Sequence, residues 1–353
     1  MVILTRKCSL WSYTMRSILR VALFALVVAG TGCDNGDSTA PKPDPSIPEG
    51  LWTISGASAS IIGFDAAQLR GTGDIVPATV VTTPSARLFT LAGVAFDSSG
   101  TLWIASADDS LLLAFDQAAL ASGFSVATTV LEPVDKSLSA PSGLAFDRAH
   151  RLWVANHENG TLVRFDVSQL SAGGKQQPAV VISGLGHPTA IAFDAAGTLW
   201  MSDNLAHTIA GFSATQLEIS GKHTPVVVLS STAGSLIHPS GLAFDQEGNL
   251  WVANLGNHSV IGFGADQRCC TGAPAPRRVL APRVTPLGLP VGLAFDGAGS
   301  VWVVGGTGTL TRFDRSSLDA AGSNEPSIQF AVTGHSLLWS AAFWPKPVGL
   351  PLN

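Results

Sequence analysis

The histidines are the residues of this chain whose types and spacing bear most directly on chemistry. Of its 353 residues, 8 are His and only 13% are Asp, Glu, Lys or Arg. Two pairs repeat at fixed distances from a tryptophan. His187 and His238 lie thirteen residues before Trp200 and Trp251, and His207 and His258 lie seven after them. The position three after Trp holds Asn156, Asp203 and Asn254, and His157, Glu158, Asn204 and Asn257 stand close by. Neutral imidazoles with a carboxylate are a divalent-metal ligand set, for which His187, His238 and Asp203 are the candidates. Imidazoles and carboxamides are equally the polar groups of a ligand-binding patch, here Asn156, His157, His187, Asp203, Asn204, His238, Asn254 and His258. Repeat duplication also copies loop polarity without any function. GxSxG, HExxH, P-loop and GxGxxG patterns are absent, so no nucleophile or phosphate cradle is visible.

The elements that would position these groups come from a repeat of about fifty residues. GVAFDSSGTLWIAS (93–106), GLAFDRAHRLWVAN (143–156), AIAFDAAGTLWMSD (190–203), GLAFDQEGNLWVAN (241–254) and GLAFDGAGSVWVVG (292–305) are copies, and GLWTIS (50–55) is a partial one. A second phrase follows, as in SIIGFDAAQL and TLVRFDVSQL, and then a third apolar run such as PVVVLS. Each unit thus holds four apolar runs of strand length, separated by turns. Asp97, Asp194, Asp245 and Asp296 open Asp-x-x-Gly turns, so turn formation rather than catalysis accounts for them. Asn159-Gly160 marks a hairpin between the second and third strands.

GLAFD and LWVAN are apolar on both faces, so both faces must be covered. Radially packed sheets achieve this, with the periodic Trp filling the space between neighbours. SAAFW (340–344) aligns with GLAFD but has no LW strand after it, whereas the first unit lacks a GLAFD strand. The sequence therefore predicts an all-β fold: a six-bladed β-propeller of four-stranded blades over 51–345, closed by a C-terminal strand that completes the first blade. Residues 346–353 form a tail.

GLAFDxxGxLWVAN resembles the NHL-repeat and gluconolactonase/regucalcin-like group of six-bladed propellers, and also the lyase propellers that inactivate streptogramins. Kelch propellers share the period, but their paired glycines occur here only at Gly305-Gly306. The gluconolactonase likeness implies metal ligands just before the innermost strands. Those positions hold Ala92, Ser142, Thr189, Ser240, Val291 and Trp339, a poor set for a divalent ion, so that catalytic set does not carry over.

If the first strand of each blade runs from top to bottom, the loops before GLAFD and after LWVAN share the top face. His157, His187, His207, His238, His258 and His335 fall there, and His150 and His223 fall below. The expectation is that His187, His238 and Asp203 converge near the axis with Asn156 and Asn254 beside them. A non-catalytic scaffold that binds a small molecule or protein partner on this face is favoured by the missing carboxylates. The alternative is a hydrolase (lactonase-like) or streptogramin-lyase-like enzyme using the same sector of blades 3–5 with a divalent cation; no other cofactor is expected.

Residues 1–32 carry Arg6, Lys7, Arg16 and Arg20, no acidic residue, and the ten-residue apolar run Val21–Gly30. That run is too short to span a bilayer and describes a secretory signal, with Met15 a more ordinary start. Thr31-Gly32-Cys33 resembles the bacterial lipobox, departing from it at Gly30, and implies lipidation of Cys33. Residues 33–50, with prolines at 41, 43, 45 and 48, read as a stiff tether. The expected product is a monomeric lipoprotein, membrane-anchored and facing the periplasm or the extracellular side. Removing 1–32 leaves 16 basic against 25 acidic residues, a balance of −9 that argues against nucleic acid as a partner. Adjacent Cys269 and Cys270 form either a labile eight-membered disulfide ring or two free thiols.

Overall fold

The computed structural model describes residues 50–82, 90–231, 234–284, 286–319 and 324–345. The expected signal segment, the tether up to Glu49, Cys33 and the tail 346–353 lie outside the described residues. Six sheets follow one another along the chain, each built on four antiparallel strands that run from innermost to outermost. Blade 3 is representative, with strands Pro141–Phe146, Leu152–Asn156, Thr161–Phe165 and Val180–Ser183. Blade 1 is the expected composite. The C-terminal strand Leu338–Trp344 pairs antiparallel with Gly50–Ser55, which continues into Ser60–Asp65 and Thr79–Thr82. The innermost strands also contact one another in sequence around the ring, with Leu338–Trp344 touching those of blades 2 and 6. The ring is closed, so no innermost edge is left to pair with another chain.

The tryptophans pack between blades. Trp153 of blade 3 is buried with Ile191, Phe193, Leu199 and Met201 of blade 4, and its ring stands edge-on to Phe193 at 6.4 Å. Trp251 meets Phe295 of blade 6 in the same way at 6.3 Å. Such edge-to-face pairs add about 0.5–1.5 kcal/mol to the burial of the rings themselves.

A further layer was not evident in the repeat. Several outer strands gain a fifth, parallel partner that comes from the following blade. Gly174–Gln176 of blade 3 pairs with Thr129–Pro133 of blade 2, and Gly221–Lys222 of blade 4 pairs with Val180–Ser183. Gly73–Ile75 of blade 1 pairs with Ile328–Val332 of blade 6, which makes a second closure of the ring. Single bridges at Phe124 and Gly272 do the same for blades 1 and 4. Four of the five straps, those of blades 1, 3, 4 and 5, are pinned by a glutamine of the helical turn after the third strand. Gln216 Nε2, for example, donates to the Thr224 carbonyl at 2.7 Å and Gln267 Nε2 to that of Ala275 at 2.6 Å; blade 2 has Ala119 there. These straps cover hydrogen-bonding edges that the short outer strands would otherwise expose.

Candidate functional site

The loop before each innermost strand and the hairpin after the second strand lie side by side, as strand direction requires. The His157 N–H donates to the Ala140 carbonyl at 3.1 Å, that of Asn204 to His187 at 3.3 Å, and that of Leu255 to His238 at 3.2 Å. The two loops therefore share one face in each of these blades. His150 belongs to the Asp147 turn at the opposite end, and His223 sits on a strap with Nε2 at 2.8 Å from the Ile219 carbonyl.

On the top face the histidines pair across the seams between consecutive blades. The ring of His157, from the blade 3 hairpin, is 5.2 Å from that of His187, from the loop entering blade 4. One seam further, the ring of His207 is 4.4 Å from that of His238 and perpendicular to it. His207 Nδ1 accepts the His238 backbone N–H at 2.9 Å, and His238 Nδ1 lies 3.1 Å from the Asn204 carbonyl and 3.3 Å from its Oδ1. His207 and His258 occupy left-handed hairpin positions, with φ of 56° and 54°, where polar side chains are tolerated best. His258 is exposed, and the position that would supply its partner from blade 6 holds Leu289.

The proposed metal triad is not assembled as a ligand set. Among the described residues, no group of three or more His, Cys, Asp and Glu side chains is placed to hold a metal ion. Asp203 is buried at 6% exposure, its Oδ1 accepts the Ala206 N–H at 2.9 Å, and its Oδ2 faces the Cα of Gly186, where a Cβ would come within 1.9 Å.

Asn156 and Asn254 are fully buried. Asn156 Oδ1 accepts the Ser139 N–H at 3.2 Å while Nδ2 donates to the Ser137 carbonyl at 2.9 Å and to Thr161 Oγ1 at 3.0 Å. Asn254 repeats this with Ile237 N at 2.7 Å and the Ser235 carbonyl at 2.6 Å. Both carboxamides tie the loop that enters the blade to its second strand, so the accessible polar groups of this sector include the half-buried His157, His187, Asn204, His207 and His238 with the exposed Glu158, Asn257 and His258.

Burial pushes the His157 imidazole below the ordinary histidine range, and the neighbouring His187 adds to this; its bond to the Pro188 carbonyl and the charges of Glu158 and Asp203 oppose it. Burial also lowers His335, whose Nδ1 lies 2.7 Å from Ser58 Oγ. Residues at the gluconolactonase ligand positions are spent on the frame. Ser240 Oγ, for example, donates to the Ala253 carbonyl at 3.1 Å and to that of Pro290 in the next blade at 3.0 Å.

Two charged sites at the opposite end went unread in the sequence. Glu218 accepts from Arg151 at 2.8 and 3.1 Å and from Arg164 at 2.8 Å, which joins blades 3 and 4. Arg268 occupies the position where the FDxxxL phrase has a buried leucine, such as Leu170 or Leu217. Its guanidinium lies over Trp200 at 5.2 Å and Phe244 at 4.8 Å and pairs with Asp194 at 3.6 Å. The signal was available, since Arg268 breaks an otherwise apolar column of the repeat.

Comparison with known proteins agrees with this architecture. The family model described as NHL repeat matches residues 236–263, which make up the entry loop and first three strands of blade 5. No curated protein matches the chain. Among solved structures, a chain of a nidogen/laminin complex is similar at 14% identity and a TM-score of 0.60, covering 84% of this chain and 99% of that one. A catalytically inactive virginiamycin B lyase from Staphylococcus aureus, crystallised with quinupristin, is similar at 12% identity and a TM-score of 0.51, covering 77% and 83% of the two chains. At these identities the likeness is one of fold. The chain is a six-bladed β-propeller, closed through its first blade, with a sequence that matches the NHL repeat in blade 5.

Proposed function

We propose that this protein is an exported, lipid-anchored propeller whose top face, at the seams of blades 3–4 and 4–5, binds a small molecule or a protein partner without catalysis. The observation that carries the reading is the pairing of imidazoles across two successive seams, His157 with His187 and His207 with His238. Paired rings with Asn204 and Glu158 beside them offer donors, acceptors and apolar ring faces in one strip, which is the chemistry of a recognition surface. Hydrolysis or elimination would need a positioned acid, base or metal. Asp203, the carboxylate of the predicted metal set, is committed to its own turn and walled by Gly186, and Glu158 beside His157 is exposed.

Photo-crosslinking in a bacterium that exports the full chain tests this reading. A crosslinking residue placed at the exposed Glu158, beside the blade 3–4 seam, should capture a partner or be protected by a ligand, and one placed at His150, on the opposite end, should not. Capture from His150 alone, or identical behaviour at both positions, would remove the top-face assignment.

A further inference from the structure

Cys269 and Cys270 are both exposed free thiols, and their sulfurs are 3.1 Å apart. They stand on the segment of blade 5 that crosses to the outer edge of blade 4, and this segment is held on both sides of the pair. Before it, Arg268 is locked over Trp200 and Phe244 at the blade 4–5 seam. After it, Thr271 Oγ1 accepts the Val228 N–H at 3.1 Å, Gly272 N donates to the Val228 carbonyl at 3.0 Å, and Gly272 O accepts from Ser230 N at 2.9 Å. Both flanks are held, which keeps the sulfurs beside each other. Closing an eight-membered ring between adjacent residues strains it, so the disulfide should be readily reduced.

We propose that Cys269 and Cys270 form a reversible dithiol–disulfide couple that exchanges with small-molecule disulfides of the glutathione class. The couple is independent of the top-face reading, since it lies on the outer edge of the ring. The hydrogen bond between the two sulfurs raises the Cys270 thiol above the ordinary range. Exchange begins from the thiolate of either cysteine, the two steps being equivalent whether Cys269 or Cys270 attacks first. With Cys269 first, its Sγ attacks one sulfur of the small disulfide, forming a mixed disulfide and expelling one thiolate. Cys270, on losing its proton, attacks Cys269 Sγ, breaks the mixed bond and expels the second thiolate. The two cysteine protons end on the two released thiols. The protein has then lost two electrons, and the small disulfide has gained them.

Peptide mass analysis of the full chain tests this. Reduced protein is incubated across a series of oxidised-to-reduced glutathione ratios, acid-quenched, alkylated and digested with trypsin. Cleavage after Arg268 and Arg277 places both thiols in one peptide, Cys269–Arg277, and Cys8 and Cys33 fall in others. The expected product is this peptide without alkyl groups and two hydrogens lighter, rising with the oxidised fraction and reversed by dithiothreitol. Cys270→Ser should instead retain one glutathione on Cys269. A wild-type peptide that stays doubly alkylated, or carries glutathione at every ratio with no ring form, overturns the proposal. So does a Cys270→Ser protein whose Cys269 takes up no glutathione.

Discussion

Asp245 Oδ2 accepts the indole N–H of Trp251 at 2.8 Å, while its Oδ1 accepts the Asn249 N–H at 2.7 Å, so one carboxylate both closes the turn and fixes the large ring buried between blades. The same bond recurs from Trp103 to Asp97 at 3.3 Å, Trp153 to Asp147 at 3.2 Å, Trp200 to Asp194 at 3.0 Å and Trp302 to Asp296 at 3.2 Å. Blade 1 is the exception. Its innermost strand places Trp344 where the others have Asp, and the buried Trp52 Nε1 has no hydrogen-bond partner.

This asymmetry makes a paired prediction. Trp251→Phe removes one of the two donors to Asp245 Oδ2, leaving Asn249 Nδ2 at 2.8 Å, whereas Trp52→Phe removes an N–H that had no acceptor. In urea unfolding, Trp251→Phe should cost about 1–3 kcal/mol more than Trp52→Phe. Equal losses would mean that the indole–carboxylate bond contributes nothing beyond ring packing. Asp245→Ala, which removes the turn bonds as well, should cost about 2–4 kcal/mol.

Deleting residues 335–353 takes away the innermost strand of blade 1 and exposes the face of Gly50–Ser55 that pairs with it. The truncated chain should aggregate or melt well below the parent. A cooperative transition at the parent temperature, seen by scanning calorimetry, would show that the exchanged strand does not close the ring.

The hydrogen bond from Arg151, followed by that from Arg164, holds the Glu218 carboxyl below its ordinary value of 4.5. Because the folded value is the lower one, the stabilisation is present above the unfolded pKa and is lost as pH falls through the folded one. Glu218→Gln should therefore be less stable at pH 7, with the difference fading below about pH 4. The Glu218 side chain is 52% exposed, so the loss should stay under about 1 kcal/mol. A difference that is constant across the pH range would assign the effect to packing.

His157 acts with the same sign at higher pH. Its folded imidazole protonates below the ordinary value of 6.5, so the unfolded chain binds more protons as pH drops through that value. Stability should fall from about pH 6.5 downward, and His157→Gln should flatten the fall in melting temperature between pH 7 and 5. An unchanged slope would place the titration elsewhere.

Cys33→Ala should move the protein from the membrane fraction to the soluble one, because the proposed attachment is through acyl chains at this position. Persistence in the membrane pellet would point to a retained signal segment or another attachment.

The sequence by itself determined the number of blades, their strand order and the exchange that closes blade 1, because these depend on short-range patterns that recur every fifty residues. Apolar runs of strand length, Asp-x-x-Gly turns and a Trp at constant phase leave a single closed arrangement that covers both faces of every strand. It also placed the His157, His187, His207 and His238 loops at one end, since alternating strand direction sorts loops between faces. Which side chains meet there was decided only by the tertiary structure. Asn156, Asp203 and Asn254 share a repeat position with accessible neighbours, yet the loop returning over them consumes their hydrogen bonds. The imidazoles pair between blades, at separations of 30 residues for His157–His187 and 31 for His207–His238, and such contacts leave no periodic trace within one repeat. The straps and the Arg268 seam share that origin. They join one blade to the edge of another, where contact depends on the angle between sheets and not on the pattern along either strand.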